Sequence, residues 1–317
     1  MSVSVALISL AFTIAAICAA IMGYAIQRGA TCMVAAVDEV LTRRRANRLI
    51  ALGEAAIWVA GGLIVASMLG HLKMAPVGHA AGVVTLAGGV LLGIGALINR
   101  ACVFGAIARL GSGEWAYTLT PVGFFLGCLA ASWWTASTAP APIASPLFGA
   151  APVLIGPFVV FAAWRGIEAL GALRRGAFAA HIWSPHRATM VIGLAFVVML
   201  LTVGSWAYTD ALASLAHGMA DNTPAKLLLF VALLAGALIG GWTADRLRIV
   251  VPTLSAAARC LIGGALMGMG SLLIPGSNDG LILIGLPLLQ PHALLAVTSM
   301  TLAIAGGMVI ERRLRIR

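Results

Sequence analysis

Gly88-Gly89-Val90-Leu91-Leu92-Gly93-Ile94-Gly95 and Gly263-Gly264-Ala265-Leu266-Met267-Gly268-Met269-Gly270 stand in register at an offset of 175 residues. The match runs on without a gap to Leu97 on Leu272 and Gly105 on Gly280, giving seven identities in eighteen positions. This composition gives roughly two by chance. The same offset lays Gly29 on Gly204 and Ala60-Gly61 on Ala235-Gly236. Register kept over a whole half indicates an internal duplication.

Both stretches lie in a chain of 317 residues that is 61% hydrophobic and 9% charged, with mean hydropathy +1.04. A soluble domain carries about a quarter of its residues as charges. The composition excludes soluble enzymes, secreted disulfide scaffolds and disordered tails, and makes the lipid bilayer the solvent. At about 20 residues per crossing the length allows about ten spans. The net charge of +10 comes from arginine clusters between apolar runs, the pattern of membrane topology, so no nucleic acid is expected as a partner. Five cysteines, an odd number without a CxxC pair, argue against a disulfide framework or zinc site. The N-terminus lacks the basic region and cleavage site of a signal peptide, so Met1 onward is expected to belong to the mature helix.

Full-length apolar runs fall near 3–26, 49–70, 80–98, 118–138, 151–172, 189–203, 225–244, 254–274 and 292–310. Between them lie four shorter, glycine-broken segments: 29–41, 101–110, 205–217 and 277–288. These are too short to span and too apolar for ordinary loops. The expected fold is an all-α polytopic membrane protein of nine spans with four re-entrant half-helices, arranged as an inverted repeat. The first repeat is expected over 1–145, a connecting transmembrane helix and cytoplasmic loop over 146–187, and the second, inverted repeat over 188–317. Threaded this way, thirteen arginines of four clusters (43–48, 174–187, 246–248 and 312–317) share one side, against Lys73 and Lys226 on the other. The positive-inside rule makes the arginine side cytoplasmic, with the N-terminus outside and the C-terminus inside. Inverted repeats place a transport site near mid-membrane.

Half-helix starts at membrane depth present free backbone N–H groups. If all four converge, their dipole ends together amount to about two positive charges, suited to an anion. The alternative is that the segments are packing wedges. The first start reads Gln27-Arg28-Gly29-Ala30-Thr31-Cys32 and the second Asn99-Arg100-Ala101-Cys102, each with an arginine close to a cysteine. Arginine at membrane depth is a functional hypothesis by default. Its alternative is that Arg28 and Arg100 pair with Glu54, Asp38 or Glu114 and lock the fold. The second half offers Trp206 and Thr209 at one start, and Pro275, Ser277 and Asn278 at the other. Cys102 corresponds to Ser277 and Arg100 to Pro275, so the chemistry is asymmetric across the repeats. Cys18, Cys128 and Cys260 read as structural. Glu39 and Arg43 have the i,i+4 spacing of a surface pair. His181, His186, His217 and His292 lack metal-ligand spacing, and no nucleotide or zinc-catalysis motif is present, so neither an enzyme nor a cofactor is expected.

The motifs QRGATC at 27–32, GGVLLGIGALINRACVFGAIARLGSGEW at 88–115 and GGALMGMGSLLIPGSNDGLILIGLPLL at 263–289 resemble the YeeE/YedE family of bacterial sulfur transporters. The resemblance implies an inverted-repeat hourglass in a bacterial inner membrane, with the N-terminus periplasmic and the C-terminus cytoplasmic, and a permease for thiosulfate or a related sulfur anion. It also implies that Cys32 and Cys102 hydrogen-bond the anion at a narrow centre. Many relatives carry a cysteine where this chain has Ser277. Another sulfur oxyanion, a polysulfide or a selenium species remain open as substrates. So does a role as membrane partner or sensor of a cytoplasmic sulfurtransferase, TusA-like or rhodanese-like. A redox subunit with reacting thiols is disfavoured by the absence of a paired cysteine.

Overall fold

The computed structural model describes residues 9–72, 76–135, 142–216, 223–274 and 276–316. Lys73, His217, Pro275, Arg317 and the side chain of Arg315 fall outside them. Among the described residues nine helices are long and apolar enough to cross a membrane. The order is α1 (Leu10–Gly29), α2 (Met33–Arg43), α3 (Asn47–Met68), α4 (Val83–Asn99), α5 (Val103–Gly111) and α6 (Leu119–Thr135). Then come α7 (Leu147–Arg174), α8 (Pro185–Val203), α9 (Tyr208–Ala216), α10 (Thr223–Thr243), α11 (Leu254–Leu273), α12 (Asn278–Gly280) and α13 (Pro291–Ile316). The one sheet among the described residues pairs Gly78–His79 with Pro142–Ile143. This is an all-α polytopic membrane protein.

Two local devices break the first half into spans and short helices. Ala30, at φ 47°, and Arg100, at φ 58°, adopt the left-handed conformation just past α1 and α4. Such a residue costs roughly 1–2 kcal/mol where it is not glycine. Closing hydrogen bonds offset that cost: the Thr31 N–H donates to Ile26 O and the Ala101 N–H to Ala96 O, each at 3.1 Å. In the second half Gly204 and Gly276 take positive φ at the two corresponding breaks.

The fourth short segment differs from the half-helix expected over 277–288. It makes one α turn at Asn278–Gly280 and then widens into a π turn over Leu281–Gly285. There the Leu286 N–H reaches back five residues to Leu281 O at 2.8 Å. π turns inside helices gather at functional sites.

In lipid, burial of apolar surface does little to bring helices together; close backbone approach does more. The quoted glycines supply it. α4 and α11 cross antiparallel so that Gly95 meets Gly263 and Gly88 meets Gly270. A Cβ on Gly95 would come 2.7 Å from Gly263 O, and one on Gly88 2.8 Å from Gly270 O. α11 also packs on α6, α4 on α13, α1 on α10 and α8, and α3 on α8. The 175-residue offset carries α1 to α8, α3 to α10, α4 to α11 and α6 to α13. It therefore exchanges these pairings among themselves. α7 stands apart: only 6% of its apolar window is buried inside the protein, so it presents most of its length to lipid.

Candidate functional site

The starts of α2 and α5 meet and clasp each other through sulfur. Cys32 and Cys102 are the residues immediately ahead of the two helices, both with extended backbone. The Met33 N–H donates to Cys102 Sγ at 3.2 Å. In return Cys32 Sγ lies beside the Cys102 thiol and against the backbone N–H of Cys102 and those of Val34 and Ala35. Gly105 makes room for this, because any Cβ there would overlap Cys32 Sγ. The absence of a CxxC spacing therefore hid a cysteine pair that the fold assembles from positions 70 residues apart.

The second half builds an analogous clasp with carboxylates. The Thr209 N–H, at the start of α9, donates to Asp279 Oδ2 at 3.4 Å. The Asp210 carboxylate lies against the start of α12, where a Cβ on Gly280 would come 2.8 Å from its Oδ2. The Ser277 and Thr209 hydroxyls contact each other and both donate to Asp279 Oδ1. Helix starts attract anions, and here the protein supplies its own. The free basin expected from four starts is thus reduced to the thiol-capped pair, α2 and α5. α12, at three residues, is also too short to carry a useful dipole.

The two clasps abut. Tyr208 Oη donates to Val103 O at 2.9 Å, across the junction of α9 and α5. Asn278 is fully buried, and both polar atoms of its side chain lack a hydrogen-bond partner, as does the buried Trp206 Nε1.

Two cavities approach this waist from opposite ends. One, of about 620 Å³, reaches Cys32 and Gly105, and its wall includes Gln27, Arg48, Arg100 and Arg312. The other, of about 260 Å³, is lined by Ser205, Asp210, Gly280, Gln290 and His292. His292 and Arg312 lie on the same helix, α13, about 30 Å apart along its axis at 1.5 Å per residue. Cys102, Ser277, Thr209 and Asp279 are buried and belong to neither wall.

The arginines divide in role. Arg100 is exposed in the wall of the larger cavity, and no salt bridge among the described residues engages it. Arg28 is buried, and its guanidinium donates to Ala180 O and to Thr243 Oγ1, each at 2.9 Å, with Tyr24 stacked beneath it. It ties α1 to the 176–183 loop and to α10, and it is absent from the cavity wall. Asp38, Glu54 and Glu114, the acids that could have held these arginines, pair instead with Arg312, Arg165 and Arg109. Gln27 donates to Ser112 Oγ at 3.3 Å, while its Oε1 lacks a partner. Asn99 is spent on structure: its Nδ2 donates to Ala101 O at 2.8 Å and its Oδ1 accepts from Thr120 Oγ1 at 3.0 Å. Glu39 accepts from the Arg48 N–H at 3.0 Å instead of pairing with Arg43, because the chain turns back just after α2.

Sequence reasoning passed over Asp210 and Tyr208. The available signal was cost: a carboxylate in an apolar segment is expensive unless it serves a site.

Opposed cavities in a helical membrane bundle, separated by a closed waist, are the form of a membrane transporter. The chain belongs to the sulphur transport family (YeeE/YedE): the family model matches residues 28–308. No curated protein matches it. It is therefore a multi-pass membrane protein of sulfur transport, and a small sulfur anion is the substrate class the family implies.

Proposed function

We propose that the protein is a permease that takes up thiosulfate or a related sulfur-containing anion through the waist between the two cavities. The observation that carries this reading is the thiol clasp at the end of a cavity whose wall holds five arginines against the three carboxylates Asp38, Glu114 and Glu311. Cys32 and Cys102 sit where two half-helix starts expose N–H groups, and their S–H groups are weak, exchangeable donors. Shallow binding of this kind lets an anion leave as readily as it enters. Arg100, uncommitted at the wall, attracts the anion, and Gln27 adds polar lining. Ser277, Thr209, Asn278 and Trp206 form the opposite lip, with Asn278 and Trp206 holding unused donors.

In this reading the arginine-rich end faces the cytoplasm of a bacterial inner membrane and the N-terminus faces the periplasm. The two halves are inverted repeats joined by α7. The protein moves its substrate without chemical conversion. A TusA-like or rhodanese-like sulfurtransferase is the fitting acceptor at the cytoplasmic cavity.

The test is uptake of labelled thiosulfate into vesicles holding the purified protein. Cys102→Ala removes a hydrogen-bonding partner at the constriction, and uptake should fall about tenfold or more. Undiminished uptake would end this reading. Co-purification of a sulfurtransferase without any flux would favour a docking or sensing role instead.

A further inference from the structure

Away from the waist, a second basic cavity of about 450 Å³ opens beside the end of α7, and its wall includes Arg165, Glu168, Arg175, Ser184, His186 and Arg187. We propose that this cavity binds the phosphodiester headgroup of an anionic phospholipid, whose acyl chains run along α7.

The charges set the ligand class. Arg165 is neutralised between Glu54 and Glu168, and His186 Nδ1 lies 3.0 Å from the second Glu54 oxygen. Arg175 and Arg187 enter no salt bridge among the described residues. Arg187 is held in place: its Nε donates to Ser184 Oγ at 3.0 Å, its Nη1 to Ala177 O at 2.6 Å, and its guanidinium lies over Phe178. Ser184 is also the N-cap of α8, so the dipole of a 19-residue helix adds to the same positive field. Two guanidiniums without a carboxylate partner among the described residues, one of them held in place, and a helix start form a receptor for a tetrahedral oxyanion.

The surroundings set the source. α7 is the span that faces lipid, and beside the cavity it exposes Ile167 at 73% and Leu173 at 61%. Trp164, 54% exposed, packs against the Arg165 guanidinium at 4.4 Å, the position of an interfacial aromatic. Basic pockets between spans at the cationic face suit anionic headgroups. A soluble anion would use the arginines but leave the apolar wall idle.

The full-length protein in detergent should bind phosphatidylglycerol and cardiolipin saturably, seen as discrete adducts by native mass spectrometry and as a rise in melting temperature. Phosphatidylcholine and inorganic phosphate should do neither. R175Q and R187Q should each weaken lipid binding about fivefold, while R44Q, in a cluster outside this cavity, should not. Equal binding of phosphatidylcholine, or full binding by the R175Q/R187Q protein, overturns the proposal. A melting shift with inorganic phosphate as large as that with lipid, abolished by R175Q, overturns the lipid source and leaves a free oxyanion site. If R187Q fails to fold, R175Q at its exposed position decides alone.

Discussion

Tyr208 Oη donates to Val103 O at 2.9 Å, joining residues 105 positions apart in the chain. The bond fastens the start of α9 to the start of α5, where the carboxylate clasp of one half meets the thiol clasp of the other. Both groups are buried, so the bond cannot be replaced by water. Tyr208→Phe should lower stability by about 1–2 kcal/mol, read as a drop in melting temperature. Uptake should fall with it if the waist depends on this register.

Gly105 is the position most directly tied to Cys32. A methyl group there overlaps the sulfur, and the helix start behind it leaves no room to retreat. Gly105→Ala should cut thiosulfate uptake about tenfold or more, since a reacting or binding group misplaced by an ångström loses that much or more. Expression and melting temperature should change less than uptake, and a variant that transports normally would show that the thiol position is unimportant.

Arg28 of the first motif and Arg100 of the second should separate cleanly. Arg100→Gln removes an uncommitted charge from a cavity wall, so KM for the anion should rise with little change in maximal rate and little change in melting temperature. Arg28→Gln removes bonds to Ala180 and Thr243 and should destabilise the protein by about 1.5–3 kcal/mol. The reverse assignment of effects would overturn the division of roles drawn from their partners.

Ser277 faces Asp279 and Thr209 rather than an open pathway. Ser277→Ala should therefore lower the melting temperature, by the equivalent of about 1–2 kcal/mol, and spare more uptake than Cys102→Ala does. If the alanine variant loses uptake as completely as Cys102→Ala while keeping its melting temperature, its hydroxyl serves the anion directly.

The glycine seam is a test of the fold alone. Gly95→Val places two methyl groups against the Gly263 carbonyl and Met267, and overpacking of this kind costs about 1–3 kcal/mol or more. The expected result is a reduced melting temperature and yield, whatever substrate is present.

The spans and the short breaks between them were legible before any coordinate, because each is a local property; that α4 crosses α11 was not. An apolar run of about 20 residues must be a helix in lipid, and a repeated glycine face can pack closely only against another backbone. The cysteine starts were legible for the same reason. Partner choice was not. Nothing within the neighbourhood of Cys32 selects Cys102, and nothing beside Arg28 selects Ala180 and Thr243. Asp210 carries no signal of its partner in its own segment; only the packing of α9 brings it against the start of α12. Hydrogen bonds and charges act over a few ångströms, while the residues that make them are separated by up to 274 positions here. The chain's own pattern decides which helices form and where they break; only the packing of those helices decides which thiol, hydroxyl or carboxylate fills each exposed helix start.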